Sequence, residues 1–337
     1  MGLLVLIAAL ALWTPDLDWA TLERAYLRDR HDLRVVDGVR WHVRDEGQAE
    51  DGTLVLVHGF ASDLQTWNVW ADSLRSRYRV VRMDLPGFAL SGPVAGGDYG
   101  LHRQCQRLDA LLTEMQVGAP SRSGFVGESA VKPVIWVGHS MGADLVAQCA
   151  TQSDRPPQGL VLIAPPRLVS ETSRTWTTTH ANGDEGAQSL QWMAWFAWAL
   201  PRRWVHQGLS LAHAVQNPPS EAEVDRSFAM LRAPGVRSAI LQMGAQRRTD
   251  FAVANARASF QGPVWVAVGD QERLLNFGSL GELGPRVKRR WPQAQLRMYP
   301  NAGHMVHEDA ATALTEDVRR FAAQITVSFK ARPASLN

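Results

Sequence analysis

Cysteine is almost missing from this sequence: 337 residues carry only Cys105 and Cys149. Two cysteines cannot build the disulfide framework of a small secreted scaffold, and their spacing matches no metal site. Both fall in segments with helical periodicity, where separate, buried, inert thiols are expected rather than a bridge. Charge is also sparse, at 20% of residues with a formal net charge of +2. No run of lysine and arginine is dense enough for a nucleic-acid partner, so the charges are read as a solvated surface. Internal repeats and low-complexity tracts are absent too. The apolar run at the amino terminus, Leu3 to Trp13, has about eleven residues, too few to span a bilayer. It lacks the preceding Lys or Arg of a signal peptide, and Ala9-Leu10-Ala11 comes too early to be a cleavage site. Residues 1–30 are therefore expected to hold either a short uncleaved membrane anchor or a helix docked on the domain. A run with no polar face favours membrane association or export over a cytoplasmic location.

What is present is an ordinary globular core, with 45% hydrophobic residues. From residue 31 onward, short β-rich runs alternate with helical periodicity, which predicts a mostly parallel sheet of about eight strands flanked by helices. The strands are expected at Leu33 to Val36, Val39 to Arg44, Thr53 to Val57, Tyr78 to Met83, Val134 to Val137, Leu160 to Ala164, Val264 to Val268 and Gln295 to Tyr299. Runs such as Leu54-Val55-Leu56-Val57 are apolar without alternation, as strands buried on both faces require. Between Pro165 and about Gly262 the strand signal stops and helical runs replace it. This predicts a core from 31–165 and 257–330, with a helical cap over 166–256 inserted after the sixth strand. Trp192, Met193, Trp195, Phe196, Trp198 and Trp204 make part of that cap strongly aromatic. Packing of cap on core is the plain reading of them, and a hydrophobic substrate wall or a membrane-facing lip the sharper ones.

Chemistry is concentrated in Val134-Ile135-Trp136-Val137-Gly138-His139-Ser140-Met141-Gly142. A Gly-x-Ser-x-Gly pattern directly after an apolar strand and before a helix places Ser140 on a tight, strained turn, where small neighbours relieve crowding. The hydroxyl then projects near the positive end of the following helix. A serine is a poor nucleophile without a base. Of 10 histidines, His304 in the loop after the last strand lies at the same sheet edge as Ser140. His58 sits at a strand end suited to orienting a loop, and His307 is a rival base, one turn into the next helix. An imidazole base needs a carboxylate partner, and the loop after Val264 to Val268 offers two, Asp270 and Glu272. An oxyanion formed on attack needs two backbone N–H donors. Met141 supplies one, and Phe60, following the turn at Gly59, supplies the other.

These residues resemble the α/β-hydrolase superfamily, in the single-cap branch that includes carboxylesterases and carbon–carbon bond hydrolases. The likeness runs from about Val35 to Phe321 and takes in His58-Gly59-Phe60, the Ser140 elbow, and Asp84-Leu85-Pro86-Gly87-Phe88 with Ser91-Gly92, a structural turn. The family pattern of a glycine, two variable residues and then the acid selects Glu272, although most members carry Asp there. Similar folds that open epoxides or remove halides use Asp at the elbow, so Ser140 points to acyl transfer. The resemblance implies a serine hydrolase, carboxylesterase-type, acting on a small-molecule ester with an apolar, uncharged group and needing no metal or organic cofactor. The alternatives are a carbon–carbon hydrolase of activated diketones, with Arg167 or Arg174 holding a substrate carboxylate, and a non-catalytic binding protein on the same fold.

Overall fold

Alternation along the short apolar runs builds two cores from one sheet. The computed structural model describes residues 13–118, 132–168, 198–254, 260–275, 277 and 279–330. Eight strands form its sheet: β1 (Leu33–Val36), β2 (Val39–Glu46), β3 (Thr53–Val57), β4 (Arg79–Met83), β5 (Val134–His139), β6 (Gly159–Ile163), β7 (Val264–Gly269) and β8 (Gln295–Tyr299). Their spatial order is β1-β2-β4-β3-β5-β6-β7-β8. β2 runs antiparallel to both β1 and β4, and every other pairing is parallel. The β1–β2 hairpin turns at Asp37-Gly38, both with positive φ (51° and 70°), the backbone that an Asp-Gly turn adopts readily.

β3, β5 and β6 are buried along their whole length. Leu54 and Leu56 enter one hydrophobic cluster while Val55 and Val57 enter the other, on the opposite face. The first cluster is covered by α2 (Asn68–Leu74) and α10 (Ala311–Lys330), through Trp70, Leu74, Leu314, Val318 and Phe321. The second is covered by α3 (Leu101–Glu114), α4 (Met141–Cys149) and α8 (Leu280–Arg290), through Leu108, Leu111, Val146 and Val287. The remaining helices are α1 (Trp19–Tyr26), α5 (Arg202–Ala212), α6 (Glu221–Leu231), α7 (Val236–Ala254) and the one-turn α9 (Val306–Asp309).

The expectation for the cysteines is corrected. Cys105 on α3 and Cys149 on α4 form a disulfide, with Cα atoms 4.9 Å apart. That separation is normal for a bridge. It arises because α3 and α4 lie side by side on one face of the sheet, a neighbourhood that 44 residues of sequence separation conceal.

After β6 the chain leaves the sheet and returns at β7, beside β6. The described residues of this excursion are helical or irregular, comprising a single 3-10 turn (Pro166–Leu168) and α5 to α7, with no strand among them. Trp192, Met193, Trp195, Phe196 and Arg174 lie outside the described residues, as does all of the amino-terminal apolar run but Trp13. The chain just after that run docks on the excursion. The Thr14 amide donates to the Trp198 carbonyl (3.1 Å) and Leu17 to Arg232 (2.7 Å), and Arg237 donates to the Thr14 carbonyl (2.7 Å) and to Asp16 (2.7 Å). Among the described residues no helix is long and apolar enough to cross a membrane.

Candidate active site

Ser140 sits between β5 and α4 with φ 50° and ψ −119°, a conformation that costs a non-glycine residue about 1–3 kcal/mol and needs surrounding structure to hold it. Hydrogen bonds supply part of that hold: the Ser140 amide donates to Ile163 (2.8 Å), and its carbonyl accepts from Ala143 (2.9 Å). Close approach supplies the rest. A Cβ at Gly138 would fall 2.4 Å from the Gly142 carbonyl oxygen, and one at Gly142 would fall 2.4 Å from that of His58. Both elbow glycines are thus required by backbone packing, which ties the elbow to the end of β3.

The loop after β3 passes directly beside the serine. A Cβ at Gly59 would lie 3.2 Å from Ser140 Cβ. His58 fixes this loop: its ring accepts from the Leu85 amide (2.9 Å) and donates to the Gly59 carbonyl (2.7 Å). Burial lowers its pKa, outweighing the nearby Asp84 carboxylate, so the ring is neutral as this pattern requires. The Asp84 turn is structural. Its carboxylate accepts from the Leu64 (2.7 Å) and Leu90 (3.0 Å) amides and pairs with the His42 ring (2.7 Å). The Phe60 and Met141 amides donate to no acceptor among the described residues.

His304 and Glu272 meet. The His304 Nδ1 and a Glu272 carboxylate oxygen are 2.7 Å apart, and both side chains are buried. The other Glu272 oxygen accepts from the Leu274 (2.7 Å) and Leu275 (3.0 Å) amides, so the carboxylate is held at both ends. Asp270 turns elsewhere, with its oxygen 3.4 Å from the Ala302 amide. His139, adjacent to Ser140, donates through Nε2 to the His304 carbonyl (3.0 Å), and the two rings lie with centroids 4.8 Å apart and planes inclined by 59°. His307 has other partners. It is fully buried, bonds Thr66 (2.8 Å) and lies 4.5 Å from the Trp67 ring. Burial, followed by neighbouring imidazoles, holds both His139 and His307 well below the usual histidine pKa, and hence uncharged. The carboxylate-bound imidazole of His304 and the strained Ser140 thus both lie at the carboxyl edge of the sheet, after β8 and β5.

Sequence reading missed a polar cluster beside this centre. The His213 ring lies between Asp309 (2.8 Å) and Glu223 (2.9 Å), with Glu308 at 3.5 Å. Burial opposes its charge, but bonds to Asp309 and Glu223 prevail and raise its pKa to about 10. Burial and the adjacent Glu223 carboxylate raise Glu308 to about 7. His213, Glu223 and Glu308 bring ligand atoms within 4.8 Å of one another, the geometry of a group that could hold a metal ion. The His213 nitrogens are already engaged by carboxylates, however. Nothing in the local sequence marks these residues, because they meet only through the packing of α5 and α6 against the loop of His304.

The sheet, the elbow and the two loops at its carboxyl edge define an α/β hydrolase. Residues 48–311 match the Hydrolase_4 family model, described as serine aminopeptidase, S33, and the chain belongs to that family. It is 26% identical over 279 residues to the dihydrolipoyllysine-residue acetyltransferase component of the acetoin cleaving system of Cupriavidus necator, covering 82% of this chain and 64% of that protein. It is 28% identical over 127 residues to the pimeloyl-[acyl-carrier protein] methyl ester esterase of Aliivibrio salmonicida, covering 37% of this chain and 40% of that one. The chain thus spans less than two thirds of either relative. A crystal structure of an α/β-hydrolase fold protein from Burkholderia ambifaria superposes with a TM-score of 0.66 at 24% identity, over 86% of this chain and 97% of that one.

Proposed function

We propose that this hydrolase is a serine carboxylesterase that cleaves esters of apolar, uncharged groups through an acyl-enzyme. The observation that carries the reading is the pairing of His304 with Glu272 at the edge where Ser140 is held in its strained turn. Glu272 fixes the His304 tautomer, leaving Nε2 free to take the Ser140 proton as the hydroxyl attacks the ester carbonyl. The oxyanion receives the Phe60 and Met141 amides, the second at the positive end of α4. The tetrahedral intermediate collapses, and the alcohol departs with the proton from His304. Water, deprotonated by the same imidazole, then attacks the acyl-serine and releases the carboxylic acid. The helical excursion over 166–256 acts as the cap, its composition rich in tryptophan suiting an apolar substrate, and the amino-terminal apolar segment brings the enzyme to a membrane.

The esterase named among the relatives supports the bond type, and the serine at the elbow supports acyl transfer over epoxide opening. Hydrolysis of p-nitrophenyl esters from short to long acyl chain, by wild type and Ser140→Ala in parallel, tests the proposal. Turnover should favour uncharged apolar chains and fall on the order of a million-fold in the variant. A folded wild type inactive on every ester, or a variant that keeps its activity, overturns the reading. The first of these results would favour cleavage of carbon–carbon bonds instead.

A further inference from the structure

Both residues that flank Glu272 and one of the two that flank His304 bond to one short segment, Ser210–Val215, at the end of α5, and the other, Gly303, is joined to it through Asp309. On the acid side, Arg273 donates to the carbonyls of Ser210 and His213, the latter at 2.6 Å. Gln271 accepts from the Val215 amide (3.1 Å). On the histidine side, the Met305 amide donates to the Ala212 carbonyl (3.1 Å). One oxygen of Asp309 accepts from both Gly303 (2.8 Å) and Ala214 (2.8 Å). The other oxygen of Asp309 faces the His213 ring, which reaches Glu223 on α6. The fit is close, since a Cβ at Gly303 would fall 2.6 Å from the Ala212 carbonyl oxygen. The two loops also bond directly, Gln271 to the Ala302 carbonyl (2.8 Å).

We propose that Ser210–Val215 is a strut that sets the Glu272–His304 geometry, with Asp309 as its main positioning residue and Arg273 as its second. This rests on the esterase reading of the site. Glu272 and His304 come from separate loops, which, besides the Glu272–His304 pair itself, bond to each other among the described residues only on the amino-terminal side of each residue, at Asp270–Gln271 and Tyr299–Ala302. The strut adds to this by holding the acid loop on both sides of Glu272, and the histidine loop at Met305 directly and at Gly303 through Asp309. Proton transfer tolerates little misplacement, and a shift of about 1 Å can cost on the order of a hundredfold in rate.

Asp309→Ala is therefore expected to lower kcat on a p-nitrophenyl ester by about a hundredfold with KM changed less than about twofold. On a Glu272→Ala background the same substitution should add less than about threefold, because the geometry it maintains is already lost. Equal losses on both backgrounds, a loss confined to KM, or no loss would overturn the proposal. If Asp309→Ala does not fold, Arg273→Met carries the same double-mutant cycle with the same expectation. A readout independent of turnover is the downfield proton NMR signal of the His304 Nδ1–H, assigned by its loss in Glu272→Ala. It should vanish or shift in Asp309→Ala, and a signal unchanged from wild type refutes the strut. Inactivity of the wild type on esters would instead count against the function alone and leave the NMR result decisive.

Discussion

Glu272 and Asp270 stand two residues apart with the same chemistry, and their surroundings separate them. The Glu272 carboxylate receives two loop amides and the His304 ring, whereas Asp270 is exposed and near one amide only. Glu272→Gln should leave the fold intact and lower kcat by about ten-thousandfold, since an amide stabilises the wrong imidazole tautomer and no imidazolium. Asp270→Asn should stay within about threefold, as surface changes generally do. Steady-state kinetics on one ester decides between them, and a reversed order would transfer the acid role to Asp270. The elbow glycines were legible at this scale from the motif. The reason for Gly142 was not, because its close neighbour is the His58 carbonyl, more than eighty residues away in sequence.

The strands were readable because each apolar run carries its own signal, and the eight expected segments coincide with β1 to β8 to within about two residues. Helix ends were less so. The chain enters α2 through a 3-10 turn, Leu64–Trp67, capped by Asp63, a change of helix type that apolar periodicity does not mark. The bridge between α3 and α4 was not readable, for it depends on two helices that share no local pattern. Its removal is informative because α4 carries the elbow at its amino end. Closing a loop of 44 residues restricts the unfolded chain enough to stabilise the fold by about 4 kcal/mol. Cys105→Ser with Cys149→Ser should lower the urea unfolding free energy by up to that amount. Thiol titration of the unreduced, denatured wild type should find no free cysteine. Two reactive thiols there would contradict the bridge.

At the scale of the whole molecule, the cluster around His213 joins the excursion to the core, and its titration should appear in overall stability. The His213 pKa is raised to about 10 from an ordinary value near 6.5. Its contribution is therefore complete below about pH 6.5 and is lost as pH rises toward 10. Glu308, raised to about 7, keeps its proton in the folded chain where the unfolded chain has lost it. Stability accordingly also falls between the ordinary carboxyl range and neutrality. The urea midpoint should decline from about pH 5 to pH 10, and His213→Gln should flatten the decline above pH 7. A wild-type midpoint that rises over pH 7 to 10 would contradict the charged state of His213.

The amino-acid sequence by itself determined the mostly parallel sheet, the turn at Ser140, the loop of His304 after the last strand and the place where a helical excursion leaves the core. Each of these is written in contiguous residues whose periodicity or turn chemistry acts locally. Tertiary structure alone decided that Cys105 pairs with Cys149 and that Asp309 joins Gly303 to Ala214, and it set Glu272, which the family pattern favoured over Asp270, against His304. Those contacts form between segments distant in the chain, where direction and distance, not residue type, choose the partner.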